Sequence, residues 1–187
     1  MQYITKYDSP IGPMMLAADE TGLTDLRFDG QKYADRHSAG MCRSGEVPVF
    51  AQTRAWLDMY FSGKEPDFTP ALHLIGSDFQ KAVWDILLTI PYACTMTYGE
   101  IAALLAERRG IAKMSAQAVG GAVGHNRIGV IVPCHRVMGA KGNLTGYAAG
   151  ISRKIFLLQL EGLDTGKMHM PRKGHARQGR TNKKARP

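Results

Sequence analysis

Cysteine is scarce in this chain: Cys42, Cys94 and Cys134 are odd in number, far apart and never in a CxxC pair. That excludes a disulfide framework and a thiolate zinc knuckle, and reduced thiols are expected. Long apolar runs are missing too. No stretch approaches the roughly 18 apolar residues of a membrane span, and Met1-Gln2-Tyr3-Ile4-Thr5-Lys6 lacks the apolar core of a secretory leader. These absences point to a cytoplasmic protein with no membrane partner. The six histidines show no metal-ligand spacing, so no metal is expected. Acidic residues are absent from residues 165–187, where eight Lys/Arg stand alone. Residues 1–75 hold 7 Lys/Arg against 10 Asp/Glu, and residues 76–164 hold 9 against 6. A cationic middle and tail suit a polyanion partner, although a basic tail is as often a solvated end.

The composition that remains, 44% hydrophobic over 187 residues, suffices for one compact domain or two small ones. Met14–Ala18 and Leu23–Phe28 flank Asp19-Glu20-Thr21-Gly22, a hairpin turn, which predicts a small antiparallel sheet. Residues 30–46 read as a polar loop. Phe50, Thr53, Leu57 and Tyr60 fall at helical spacing and predict a helix from Val47 to Phe61 that covers the sheet, ended by Ser62-Gly63. Nothing in residues 1–62 resembles a site, so a scaffold role is expected there. Residues 62–76 form a linker.

The second half is punctuated by helix starts. Ser77-Asp78-Phe79-Gln80 and Thr97-Tyr98-Gly99-Glu100 both have the capping-box form. Ser115–Gly124 is a third helix of small residues. The last two helices fit a helix-turn-helix, whose backbone approaches nucleic acid closely, or equally a tight helix pair. Val137–Tyr147 carries the turn residues of a β-ribbon or wing. A final helix, with Ser152 as its cap, runs to Glu161 and stops at Gly162.

Between them lies Val130-Ile131-Val132-Pro133-Cys134-His135-Arg136-Val137. The β-branched run should be buried, and the proline leaves Cys134 on a fixed turn beside a base. A thiol is mostly protonated at neutral pH, and His135 with Arg136 could supply the electropositive setting that favours thiolate.

Thr97–Ala102, Ala118–Ala122, Ile131–Val137, Leu144–Tyr147 and Arg153–Gly162 together, in this order and spacing, resemble the O6-alkylguanine-DNA alkyltransferases. The resemblance covers residues 77–163, and Ser9-Pro10-Ile11-Gly12 with its hairpin is similar to the family's N-terminal domain. It implies an α/β scaffold domain with linker over 1–75, and a mainly helical, winged-helix or helix-turn-helix-like domain that binds DNA and accepts the alkyl group over 76–164. A basic, disordered tail over 165–187 would follow. The implied partner is double-stranded DNA containing O6-alkylguanine, with O4-alkylthymine a further candidate substrate. The implied protein is a monomer that flips the damaged base and transfers its alkyl group once, irreversibly, without a cofactor.

The same resemblance assigns roles. Cys134 is the acceptor, His135 the base acting through a water, and Glu161 the carboxylate that orients it. Asn126 braces the turn, and Tyr98 donates toward the base and crowds the phosphate. The backbone of Val137 and Ala148, with the ring of Tyr147, lines the guanine pocket. Gln117, Ala118, Gly120 and Gly121 lie against DNA, joined by Arg127 and Arg136. Two positions depart from the family pattern. Gln117 stands where many members insert an arginine, which predicts weaker DNA affinity unless Arg108, Arg109, Lys113 or the tail compensates. Arg127 stands where a proline commonly follows the asparagine, and is either a phosphate contact or solvated. A lesion sensor would lack Cys134, and a Cys–His hydrolase would draw its pair from distant segments.

Overall fold

The computed structural model describes residues 1–31 and 42–169. Strands β1 (Gln2–Ser9), β2 (Gly12–Ala18) and β3 (Leu23–Phe28) form an antiparallel meander. The β2–β3 turn closes because the Asp19 carboxylate accepts from the backbone N–H of Thr21 and Gly22 at 2.9 and 3.2 Å. At Gly22 a side chain is excluded, since a Cβ would come within 2.6 Å of the Ala71 carbonyl oxygen. A fourth strand, β4 (Cys42–Ser44), pairs parallel with β1 and gives the order β3-β2-β1-β4. The sheet is therefore mixed rather than purely antiparallel. Part of the expected 30–46 loop is strand, a three-residue edge set by its neighbour rather than by a pattern of its own.

Helix α1 (Pro48–Phe61) lays Phe50, Thr53, Trp56, Leu57 and Tyr60 into the core and packs on β1 and β2. The segment read as a linker is partly anchored: Leu23 N–H donates to Ala71 O, and His73 N–H to Leu23 O, both at 2.8 Å.

Helices α2 (Asp78–Leu87) and α3 (Tyr98–Arg108) open with complete capping boxes. Gln80 N–H reaches Ser77 Oγ at 3.3 Å while Gln80 Oε1 accepts from Ser77 N–H at 2.9 Å; Thr97 and Glu100 repeat the exchange at 3.2 and 2.6 Å. Helix α4 (Ala116–Gly124) buries Val119, Ala122 and Val123 against α2 and α3, and Trp84 donates its indole N–H to Ala122 O at 2.9 Å. The opposite face, with Gln117, Ala118 and Gly121, is exposed.

The expected ribbon after Cys134 reduces to β6 (Val137–Met138), which pairs parallel with β5 (Met96–Thr97), and to a single Gly139–Asn143 bridge around a 3-10 turn. Helix α5 (Ile151–Leu160) starts from Gly150, whose φ of 94° turns the chain into it, so Ser152 lies inside the helix rather than capping it. Gly162, at φ 87°, follows its end as expected. The fold also continues past residue 164. His169 N–H donates to Gly142 O at 3.0 Å, and Leu144 N–H to His169 O at 2.8 Å, so the ordered chain reaches into the stretch assigned to the tail. The rest of that tail, residues 170–187, lies outside the described residues. One apolar core, running from Met14 and Leu26 through Trp84 to Cys134 and Leu157, spans both halves. Among the described residues, no helix is long and apolar enough to cross a membrane.

Candidate active site around Cys134

Helix α4 ends at Gly124, and the chain then folds tightly on itself because Asn126 supplies what its backbone lacks. The Asn126 carbonyl accepts from Ile128 N–H at 3.0 Å, and its amide N–H donates to Val132 O at 2.9 Å. The same amide nitrogen lies 3.1 Å from Cys134 Sγ. Val130 adopts φ 68°, a conformation rare for a β-branched residue, inside a buried loop that holds it there. Pro133 then leads into a 3-10 turn, Cys134–Arg136.

Cys134 is 9% exposed, at the floor of a cavity of about 50 Å³ shared with Tyr98, Gly120, Asn126, Tyr147 and Ala148. Burial pushes its thiol up; hydrogen bonds from Asn126 and Tyr147 and the charge of Lys154 oppose this without cancelling it. The resting group is thus a thiol. Burial likewise raises the Tyr147 hydroxyl well above its ordinary value, helped by Cys134, so it stays a donor.

His135 is next in sequence and fully buried. His135 Nε2 lies 2.6 Å from Glu161 Oε1, at the C-terminus of α5. Tyr60, from α1, donates its hydroxyl to the same oxygen at 2.7 Å and sits 3.3 Å from His135 Nε2. Arg136 donates Nε–H to Glu161 Oε2 at 2.9 Å, and Ala93 N–H approaches that oxygen at 3.2 Å. Burial pushes the Glu161 carboxyl up, but His135 and Arg136 outweigh it and hold the group at about 2. Burial depresses His135, against the pull of Glu161, so the imidazole is neutral. An anionic Glu161 facing Nε2 assigns the proton to that nitrogen and leaves Nδ1, buried and without a hydrogen bond among the described residues, as the basic atom.

The structure brings Cys134, His135, Glu161, Asn126, Tyr98, Tyr147 and Ala148 together. It does not place Val137 on the cavity wall: Val137 is fully buried, and its carbonyl accepts from Lys154 Nζ. Arg136 is a clear correction. Its guanidinium is 10% exposed, bonds Glu161 and the Ile90 carbonyl, and lies 5.6 Å from the Tyr92 ring centroid, so it cannot face DNA. Arg127 is neither simply solvated nor a free phosphate ligand, because its Nε sits 3.0 Å from Asp25. Gly120 faces inward, with the Tyr98 ring 3.7 Å from where its Cβ would be.

Three residues escaped the sequence reading. Tyr60 lies in the expected scaffold. Lys154 lies on the expected core helix, yet is a fully buried cation that burial, against an upward pull from Cys134, lowers to about 8. Gln31 lines the Cys134 cavity from the N-terminal half. A Lys amid the apolar positions of α5 was the available signal for the second; the others had none. Among the described residues, no cluster of three or more His, Cys, Asp or Glu could hold a metal.

A mixed α/β module packed on a helical one, with a buried thiol beside a carboxylate-oriented histidine, defines a cysteine-centred group-transfer protein. The chain belongs to the 6-O-methylguanine DNA methyltransferase family: the model of its DNA-binding domain matches residues 78–163, and that of its ribonuclease-like domain matches residues 2–74. A methylated-DNA–protein-cysteine methyltransferase of Mycobacterium leprae is 45% identical over 161 residues, covering 86% of this chain and 93% of the relative. One from Methanosarcina acetivorans is 42% identical, covering 86% and 98%. The crystal structure of Mycobacterium tuberculosis O6-methylguanine methyltransferase is similar with a TM-score of 0.72 and 46% identity, covering 86% of this chain and 93% of that one. A structure of the M. tuberculosis protein in complex with DNA also matches at 0.72, with 44% identity and coverage of 89% and 95%.

Proposed function

We propose that this protein repairs DNA by moving the alkyl group of O6-alkylguanine onto Cys134. The observation that carries the reading is the buried Cys134 thiol, held by Asn126 and followed directly by a neutral His135 whose far nitrogen is bound to an anionic Glu161. His135 Nδ1 takes the thiol proton through a water, and Glu161 stabilises the imidazolium that forms. The positive charge of Lys154 favours the thiolate. Sγ then attacks the alkyl carbon; the new S–C bond forms as the O6–C bond breaks, and the bonding pair leaves with guanine. Tyr98, whose hydroxyl accepts from Thr145 Oγ1 at 3.2 Å and stays protonated through burial, donates the hydrogen bond that stabilises the negative charge on the departing base. The product is a thioether with no good leaving group, so each molecule acts once.

The exposed face of α4, with Gln117, Ala118 and Gly121, supports docking of the α3–α4 pair on the duplex as a helix-turn-helix, with Gln117 filling the place of the flipped base. The protein acts as a monomer in the cytoplasm, with acceptor, base and carboxylate all carried by one chain. The same pocket would take O4-alkylthymine if its walls admit a pyrimidine.

The test is intact and peptide mass spectrometry after incubation with a duplex containing O6-methylguanine. One methyl group on the Cys134 peptide, saturating at one per protein and absent in Cys134→Ala, is expected. Continued turnover would instead indicate a hydrolase, and lesion binding without modification a sensor.

A further inference from the structure

The bonds that aim Cys134 begin in the other half of the molecule. Asp25, in β3, has a side chain 2% exposed, 2.7 Å from Arg27 Nε and 3.0 Å from Arg127 Nε. The backbone is stitched at the same place: Leu26 N–H donates to Arg127 O at 2.9 Å, and Gly129 N–H to Leu26 O at 2.8 Å. Strand β3 therefore grips residues 127–129 as a neighbouring strand would, with an ion pair at the start of the seam. Asn126 is the residue immediately before it, and its amide contacts Val132 O, Ile128 and Cys134 Sγ.

Among the described residues, Arg127 is the second guanidinium at Asp25. Arg27, 9% exposed, already lies within 2.7 Å of Asp25, and a second guanidinium at one carboxylate adds repulsion between the two cations. What Arg127 adds is a fixed point one residue from Asn126. We infer that Asp25 and Arg127 are positioning residues for alkyl transfer: their ion pair fastens β3 to the chain after α4 and so holds the Asn126 amide on Cys134. The inference rests on Cys134 being the alkyl acceptor.

The test uses the full chain carrying Arg127→Gln, Asp25→Asn, both together, or Asp25→Glu. Single-turnover transfer is measured at saturating O6-methylguanine duplex, beside duplex Kd. Each single substitution should slow saturating transfer about tenfold with Kd changed less than about twofold. The double variant should be no slower than the slower single, and Asp25→Glu should recover part of the rate. Arg127 is 26% exposed, so Arg127→Gln decides the matter if Asp25→Asn does not fold. Unchanged saturating rates, strictly additive losses, or a loss confined to Kd would overturn the inference, the last making Arg127 a DNA contact. Failure of the unsubstituted protein to methylate Cys134 would instead overturn the proposed function.

Discussion

The hydroxyl of Tyr60 is one of the groups that keep Glu161 ionised inside the protein, alongside Arg136 and the Ala93 N–H. Tyr60→Phe removes a donor to a buried carboxylate while leaving the ring's packing against Trp56 and Tyr92 in place. It should cost about 1.5–3 kcal/mol of stability in urea unfolding, and should slow alkyl transfer through the less firmly held His135. Glu161 itself makes a pH prediction. Its carboxyl falls from an ordinary 4.5 to about 2 in the folded protein, so the unfolded chain binds the extra proton first. The contribution of Glu161 is complete above about pH 4.5 and is lost as pH falls toward about 2; in Glu161→Gln that part of the acid-unfolding curve should flatten. The role of Tyr60 was not legible in the sequence. Tyr60 continues the helical stripe of Phe50, Thr53 and Leu57, so its spacing reads as core, and Glu161 lies 101 residues away. Cys134 and His135 stood out because they are adjacent in the chain, whereas Asn126 and Glu161 entered only through the family resemblance.

Among the elements, α2 and α3 were readable because capping is a local transaction: four consecutive residues contain both partners. Thr97→Ala breaks the box that starts α3 and should cost about 1 kcal/mol in denaturant unfolding. Since Thr97 also belongs to β5, opposite Met138 of β6, the loss should loosen the turn after Cys134 as well. Elements whose partners are remote were harder to see. Strand β4 exists only through β1, and Met168 and His169 are held by Leu144 and Gly142 rather than by any pattern around them. The ribbon expected from glycine-rich residues 137–147 failed for a related reason: Val137 and Met138 find Met96 and Thr97 before they can pair with each other's neighbours.

For the molecule as a whole, the two family-model matches end and begin at residues 74 and 78, but the physical boundary is not there. Leu26 bonds on both sides of Ile128, Tyr60 reaches Glu161, Arg153 Nε donates to Ile11 O at 3.1 Å, and one apolar core runs through both halves. The two modules should therefore unfold in one calorimetric transition, with van't Hoff and calorimetric enthalpies equal. Two separate transitions would contradict this. The placement of Tyr60 also limits how the two halves can be recombined. Because the scaffold contributes a donor to the chemistry of its neighbour, the halves cannot be exchanged freely between relatives. A chimera joining this acceptor module to another member's N-terminal module should transfer alkyl groups more slowly unless the transplanted helix brings a hydroxyl to Glu161.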